Sequence, residues 1–361
     1  MNTTLDRRTI GRWLAVWAAS LFVLILVGGG TRLTESGLSI TEWKPVSGVV
    51  PPLTDAAWQA EFGKYKEIPQ YKQLNAGMTL AQFKAIFWWE FLHRLWARIV
   101  GLVFVLPLAW LWMRRRIPRA IVPRLAALGV LMGLQGAMGW YMVASGLTAR
   151  VNVSQYRLAA HLSLALVIYL LAVWTADRLL RAGRDDGSGA ESGATAKDGT
   201  RATDRGNAIR GTRRQRHLLG TLLALAFTTV VSGAFVAGLR AGHIYNEFPM
   251  MGAGLVPMEY GVMHPWWRDF FENPAAAQFN HRVLAIFVLF VTIAGYFRAR
   301  MGAGKALKSR LNLVLVAIVI QVGLGITTLL LSVPVTMGVA HQAGALFVLT
   351  ALTLSLSEAA R

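Results

Sequence analysis

Glu90-Phe91-Leu92-His93-Arg94 stands near the start of a long apolar run. A carboxylate and an imidazole three residues apart lie on one helix face, a turn from each other. In hydrocarbon such groups are costly, and they mark a functional site by default. The pattern returns as Gln278-Phe279-Asn280-His281-Arg282, with the histidine kept and an amide in place of the carboxylate.

Composition says what surrounds these stretches. The 361 residues are 55% hydrophobic and only 15% charged, with mean hydropathy +0.45. Soluble domains carry about 25% charged residues, and several apolar runs here approach the ~20 residues that cross a bilayer. The net charge of +19 sits in short segments between apolar runs. That is the positive-inside pattern, and it argues against nucleic acid as a partner. The chain has no cysteine, which excludes disulfides, zinc–thiolate sites, iron–sulfur clusters and thiol nucleophiles. Any metal would rest on His, Met, Tyr or carboxylate.

Arg7, Arg8 and Arg12 precede the first span, about 13–30, and set the N-terminus in the cytoplasm. No A-x-A-like cleavage site follows it, so a retained helix is expected. A long outer segment, 31–78, is broken by Pro45, Pro51, Pro52 and Pro69. Within it the pattern predicts a surface helix over 55–66, capped by Thr54, with Trp58, Phe62 and Tyr65 along one face. Thr79-x-x-Gln82 has the form of a capping box opening a span to about 113. Arg114, Arg115, Arg116, Arg119 and Arg124 form a cytoplasmic turn before spans at about 125–144 and 157–179. Residues 183–216 read as a disordered cytoplasmic linker, poor in apolar residues. The second half repeats the layout, with spans near 218–238, 274–297, 311–331 and 335–356. Asn273-Pro274 is read as cap and first helical position of the second span in that half.

The expected architecture is an all-α integral membrane protein of eight transmembrane helices, arranged as two pseudo-symmetric four-helix bundles. One unit spans 1–182 and the other 217–361, with both termini cytoplasmic. Thr41-Glu42-Trp43 matches Asn246-Glu247-Phe248, Gln135-x-x-x-Gly139 matches Gln321-x-x-x-Gly325, and Ala160-His161 matches Ala340-His341. A parallel repeat puts equivalent sites at equal depth, here toward the outer surface. Gly28, Gly29, Gly30, Gly133, Gly136 and Gly139 read as sites of close helix approach.

His93, His161, His281 and His341 sit near the outer ends of even-numbered spans. Two inward imidazoles per unit would clasp a planar metal cofactor in a bundle core. Neutral imidazole pairs without cysteine suit haem iron. Copper also accepts imidazole, but only Met337 stands at ligand spacing, beside His341. A lone intramembrane histidine could equally be a helix-to-helix hydrogen bond; four of them paired by a repeat favour ligation. His217, His243 and His264 read as ordinary solvated residues. Arg94 and Arg282 are candidates for contacts to haem propionates; snorkelling, or an Arg94–Glu90 pair, is the bland alternative. Arg98 receives no role. Only the first half has a carboxylate, Glu90, a turn from its histidine. A buried carboxylate stabilises a developing cation or moves a proton and an amide does neither. Chemistry therefore falls to the first half and a resident redox cofactor to the second.

At these residues the chain resembles the haem A synthase family. The resemblance covers all eight spans. It rests on Gly29-Gly30-Thr31-Arg32-Leu33-Thr34-x-Ser36-Gly37-Leu38-Ser39, Thr41-Glu42-Trp43-Lys44-Pro45 and Glu90-Phe91-x-His93-Arg94. It continues through Gln135-Gly136-x-x-Gly139-Trp140, Val153-Ser154-Gln155-Tyr156-Arg157-Leu158-Ala159-Ala160-His161 and Asn280-His281-Arg282. Lacking a cysteine pair in the first outer loop, the chain is similar to the proteobacterial and mitochondrial branch. The resemblance implies an inner-membrane oxidoreductase that oxidises the C8 methyl of haem O to the formyl group of haem A by successive hydroxylation and loss of water, with oxygen from water. It implies haem b on His281 and His341, substrate haem on His93 and His161, and Glu90 at the reacting carbon. The implied partners are haem O, membrane lipid, the farnesyltransferase that makes haem O, and an electron acceptor not specified by any residue, with quinone as one class. The competing reading is a di-haem b-type, quinone-linked electron carrier without porphyrin chemistry. A transporter, the third reading, would purify colourless; the haem readings predict a reduced-minus-oxidised spectrum of low-spin haem b in the purified protein.

Overall fold

The computed structural model describes residues 3–149, 151–188 and 201–360, without the side chains of 3–5, 145, 148–149, 183–188 and 201–212. Eight helices are long and apolar enough to cross a membrane, and the chain is a multi-pass helical membrane protein. They are α1 (Thr3–Leu33), α4 (Leu80–Met113), α5 (Val122–Ala149), α6 (Gln155–Ser188), α7 (Arg201–Gly238), α9 (Pro274–Arg300), α10 (Lys305–Leu330) and α11 (Val335–Ala359). Outside them lie α2 (Asp55–Lys66), α3 (Pro69–Leu74) and α8 (Asp269–Glu272).

The local signals act as expected. Thr54 Oγ1 accepts from Ala57 N at 3.2 Å and starts α2. At the head of α4, Gln82 N donates to Thr79 Oγ1 (3.3 Å) and Thr79 N to Gln82 Oε1 (2.8 Å), a complete capping box. Asn273 Oδ1 accepts from Ala275 N and Ala276 N, with Pro274 at the first helical position. Pro69, expected as a breaker, opens α3 instead, because a proline at a first position gives up no intrahelical bond. The expected linker 183–216 is entered by helix from both sides, α6 running to Ser188 and α7 starting at Arg201. Residues 189–200 lie outside the described residues.

Packing between these helices is not driven by the hydrophobic effect, since lipid is as apolar as leucine. Close fit and hydrogen bonds must do it. Trp13 and Trp17 donate their indole N–H to Val103 O (2.7 Å) and Val100 O (3.2 Å), and Trp96 to Ser20 O (3.0 Å), which ties α1 to α4. The halves are joined by Tyr169–Thr350 (2.7 Å) and by Gln342 Nε2 donating to Ile25 O (3.0 Å). On the opposite side of the membrane from α2, Arg181 pairs with Asp177 and Glu358, and Arg310 with Asp177. One continuous core runs through both halves, including Ile10, Leu14, Trp17, Val100, Leu166 and Leu349.

In the second half α7 packs on α9, α9 on α10, α10 on α11 and α11 on α7, so α9 and α11 face each other across the ring's diagonal. In the first half α1 packs on α4 and α6, and α5 on α6, but α4 and α5 make no comparable contact. Their outer ends are bridged instead: α2 lies on α4 and α3 on α5. Trp58, Phe62 and Tyr65 are buried there against Phe83, Phe87 and Phe91 of α4.

The cysteine-free chain makes its course directly measurable. Ala56→Cys, in α2, is expected to react with a membrane-impermeant maleimide in intact spheroplasts. Arg119→Cys, in the exposed turn between α4 and α5, is expected to react only after lysis. Equal reaction of both before lysis would contradict a membrane crossing by α4.

Candidate functional site

His93 projects from α4, His161 from α6, His281 from α9 and His341 from α11. Each imidazole lies against a glycine of a neighbouring helix. A Cβ on Gly28 (α1), Gly139 (α5), Gly233 (α7) or Gly325 (α10) would come within 2.8, 3.2, 3.1 and 2.9 Å of the Cε1 of His93, His161, His281 and His341 respectively. Any larger residue would push the ring aside. Gly28 and Gly139 thus do serve close approach, as expected, and their neighbour is the histidine. Gly133 and Gly136 do not: a Cβ there meets nothing within 4 Å, although one turn earlier a Cβ on Gly129 would stand 3.6 Å from Phe104 of α4.

The rings of His281 and His341 have centres 6.4 Å apart with planes at 87°. Two imidazoles on opposite sides of one metal stand about 6 Å apart, since each metal–nitrogen bond is about 2 Å. The pair therefore fits axial ligation of a haem iron. No group of three or more His, Cys, Asp or Glu able to hold a metal ion occurs among the described residues. His93 and His161 make no such ring contact among the described residues.

The Nδ1 atoms differ in their surroundings. Ser232 Oγ lies 2.8 Å from His281 Nδ1. The amide nitrogens of Gln135 and Gln321 approach His161 Nδ1 (3.2 Å) and His341 Nδ1 (3.1 Å), and each also donates to its histidine's own carbonyl. His93 Nδ1 is buried without a partner.

Glu90 is buried, and both its oxygens are engaged. Oε1 accepts from Arg94 Nε (3.0 Å) and Nη2 (2.5 Å), while Oε2 accepts from Ser39 Oγ (2.7 Å) and Ile40 N (2.8 Å). All four partners are donors, which suits the acceptor-only carboxylate. Arg94 also donates to Ile40 O (2.8 Å) and Glu42 O (3.1 Å). In the second half Gln278 donates to Tyr245 O (3.0 Å), and Arg282 to Tyr245 O (2.8 Å), Glu247 O (3.0 Å) and Met250 O (3.1 Å). Under the alignment of Glu42 with Glu247, Ile40 falls on Tyr245. The two arginines thus hold the same two carbonyls of the two outer loops. Arg98 donates to Pro45 O (2.8 Å) and Lys44 O (2.7 Å), which supplies the role the sequence left open. The Glu42 side chain, hydrogen-bonded to Lys44 and Lys64, is held below the usual carboxylate range by those two ammonium groups. His217, His243 and His264 are exposed, as expected.

Sequence reasoning missed Ser232 and Gly233, and it named Arg32 and Gly325 only as motif and repeat positions, without their contacts. Arg32 donates to Ala237 O (2.7 Å) and Gly238 O (3.2 Å), joining the end of α1 to the end of α7. The glycines had a signal, since each stands where its counterpart does in the other half.

Eight helices long and apolar enough to cross a membrane, four of them carrying a histidine whose ring is seated on a glycine, define the class: a multi-pass membrane protein with histidines in its interior. More particularly, the chain belongs to the COX15-CtaA family of cytochrome oxidase assembly proteins, whose model matches residues 11–353. It is 45% identical over 345 residues to a protein named heme A synthase from Mesorhizobium japonicum, covering 95% of this chain and 88% of the relative. Proteins of that name from Rhodospirillum centenum (46% over 346 residues, 96% and 86% covered) and Nitrosomonas eutropha (43% over 349, 96% and 93%) are similar. The resemblance read from the motifs is borne out.

Replacing His281 or His341 by alanine is expected to remove most of the low-spin haem absorbance of the purified protein. Full retention in both variants would refute the ligand pair.

Proposed function

We propose that this chain makes haem A from haem O, holding the substrate haem on His93 and His161 and a resident haem b on His281 and His341. One observation carries the reading: two matched histidine pairs, of which a single one has a carboxylate, Glu90, a turn from its ligand. The relatives named heme A synthase, similar along nearly the whole chain, support it.

The reaction consumes the C8 methyl group and one net water: R–CH3 + H2O gives R–CHO with four protons and four electrons. It proceeds by two hydroxylations to a gem-diol that loses water. When bound, the haem b supplies one-electron relay toward an acceptor of the quinone class. Within the protein, Glu90 takes up a proton from the reacting carbon at Oε2; Ser39 Oγ, which donates to Oε2 at 2.7 Å, turns its hydroxyl to receive that proton and pass its own toward the outer surface. Arg94 fixes the other oxygen and so the direction in which Oε2 faces. Arg282 Nε, buried without a partner, is the N–H offered to a propionate, and Arg94 retains one of the five N–H groups of a guanidinium for the same use. The sites lie on the periplasmic side of an inner membrane, with both termini cytoplasmic, and haem O arrives from the farnesyltransferase that makes it. Residues 1–182 form the substrate unit and 217–361 the haem b unit.

A second reading has one observation in its favour. Both Glu90 oxygens already bind Arg94 and the 39–40 loop, so Glu90 also reads as a loop anchor in a di-haem electron carrier. Glu90→Gln separates the two, because Gln278 shows that an amide is accommodated at the corresponding place. Haem content and spectrum are expected to stay unchanged while haem A formation falls by about 100-fold or more, the usual scale of a lost general base. Formation of haem A at the normal rate would remove Glu90 from the chemistry.

A further inference from the structure

We propose that one hydroxyl, Ser232, makes the second site retain its haem, and that Val27 at the corresponding place lets the first site release its own. The inference rests on the haem-ligand reading above and adds to it a positioning residue in each unit.

Gly28 and Gly233 occupy the same place in the two halves, each forming the floor under an imidazole. The residue before each glycine is therefore also equivalent: Val27 in α1 and Ser232 in α7. Ser232 donates its own hydrogen to Thr229 O at 2.7 Å. Its oxygen, 2.8 Å from His281 Nδ1, is then left to accept, beside the Thr229 backbone that also hydrogen-bonds to His281, and Nδ1 carries the proton. That fixes the tautomer and leaves the Nε2 lone pair for a metal. An acceptor on Nδ1–H also raises the basicity of the ligating nitrogen and holds the ring's orientation. Val27 has only methyl groups to offer, and His93 Nδ1 is buried with no partner. Neither tautomer nor basicity is set there.

The opposite face does not share this difference. His161 and His341 each meet the amide nitrogen of a glutamine at the matching position, Gln135 or Gln321. The two glutamines differ only in that Gln135 also lies 3.3 Å from His161 Nε2; the larger contrast is in the other ligand of each pair, and its direction fits the tasks. A resident cofactor has to stay through many turnovers; a substrate haem has to be exchanged for the next.

The test follows haem itself, in the full-length protein in detergent, by transfer to excess apomyoglobin and by haem content per chain. Ser232→Val is expected to lose haem b about 10-fold faster or more, the scale on which such outer partners act. Ser232→Thr, which keeps the hydroxyl, is expected to retain it at the native rate. Val27→Ser is expected to copurify with more haem per chain than the native protein. Loss from Ser232→Val at the native rate would overturn the inference. So would equally fast loss from Ser232→Thr, since volume and not hydrogen bonding would then be responsible. An unchanged haem content in Val27→Ser would overturn the half that concerns the first site. His281→Ala separates this failure from failure of the ligand reading. If His281→Ala loses its haem while Ser232→Val does not, only the present inference falls; if His281→Ala keeps its haem, the ligand reading itself falls.

Discussion

A polar side chain in hydrocarbon finds no water, so its partners must come from the protein. That constraint organises this molecule. Arg94 and Arg282 begin inside the membrane layer and satisfy their guanidinium groups on the carbonyls of the outer loops. Those carbonyls are the ones that irregular backbone leaves unpaired. Each need answers the other, and the loop is pinned over the histidines as a result. Removing Arg94 would leave Glu90 buried beside uncapped carbonyls, a loss on the order of 3–5 kcal/mol. The exposed pairs of Glu42 with Lys44 and Lys64 contribute about 1 kcal/mol or less. The buried anchor, and not the surface pairs, holds the loop.

The same constraint explains the glycines. An imidazole placed to ligate cannot also be displaced by its neighbour, so the helix it faces must come close without a side chain. Gly28, Gly139, Gly233 and Gly325 meet this need one ring at a time. The steric cost of any larger residue there would act on ring position before it acted on stability.

What the sequence made legible was local or repeated. The Thr79–Gln82 box and the Asn273 cap involve residues within three positions of each other, and the burial of Trp58, Phe62 and Tyr65 follows from their spacing alone. Helix extents at the membrane's edges were less legible, since α6 continues to Ser188 through Gly183, Asp185, Asp186 and Gly187, residues that are neither apolar nor good helix formers. Long-range partners were not legible. Ser232 is 49 residues from His281 and Arg32 is 205 from Ala237, and no local pattern marks a serine or an arginine for such a contact. Gly133 and Gly136 misled for the opposite reason. A small-residue pattern signals the capacity for close approach, while the approach itself depends on a neighbouring helix, and α4 meets that face of α5 at Gly129, through Phe104, but not at Gly133 or Gly136.

Three differences between otherwise matching halves point the same way. The first half has Glu90 where the second has Gln278, Val27 where the second has Ser232, and a sparsely packed α4–α5 seam where α9 and α10 are in broad contact. On the proposed function, the first difference bears on reactivity, the second on retention and the third on access. They lie on separate helices, α4, α1 and α5, so no single local rearrangement accounts for all of them. A unit whose occupant is transformed and then replaced needs all three properties. A unit whose occupant stays needs their opposites, with a closed ring of helices around a fixed imidazole. Duplication of one half could supply the common fold, with the division of labour arising from these few positions.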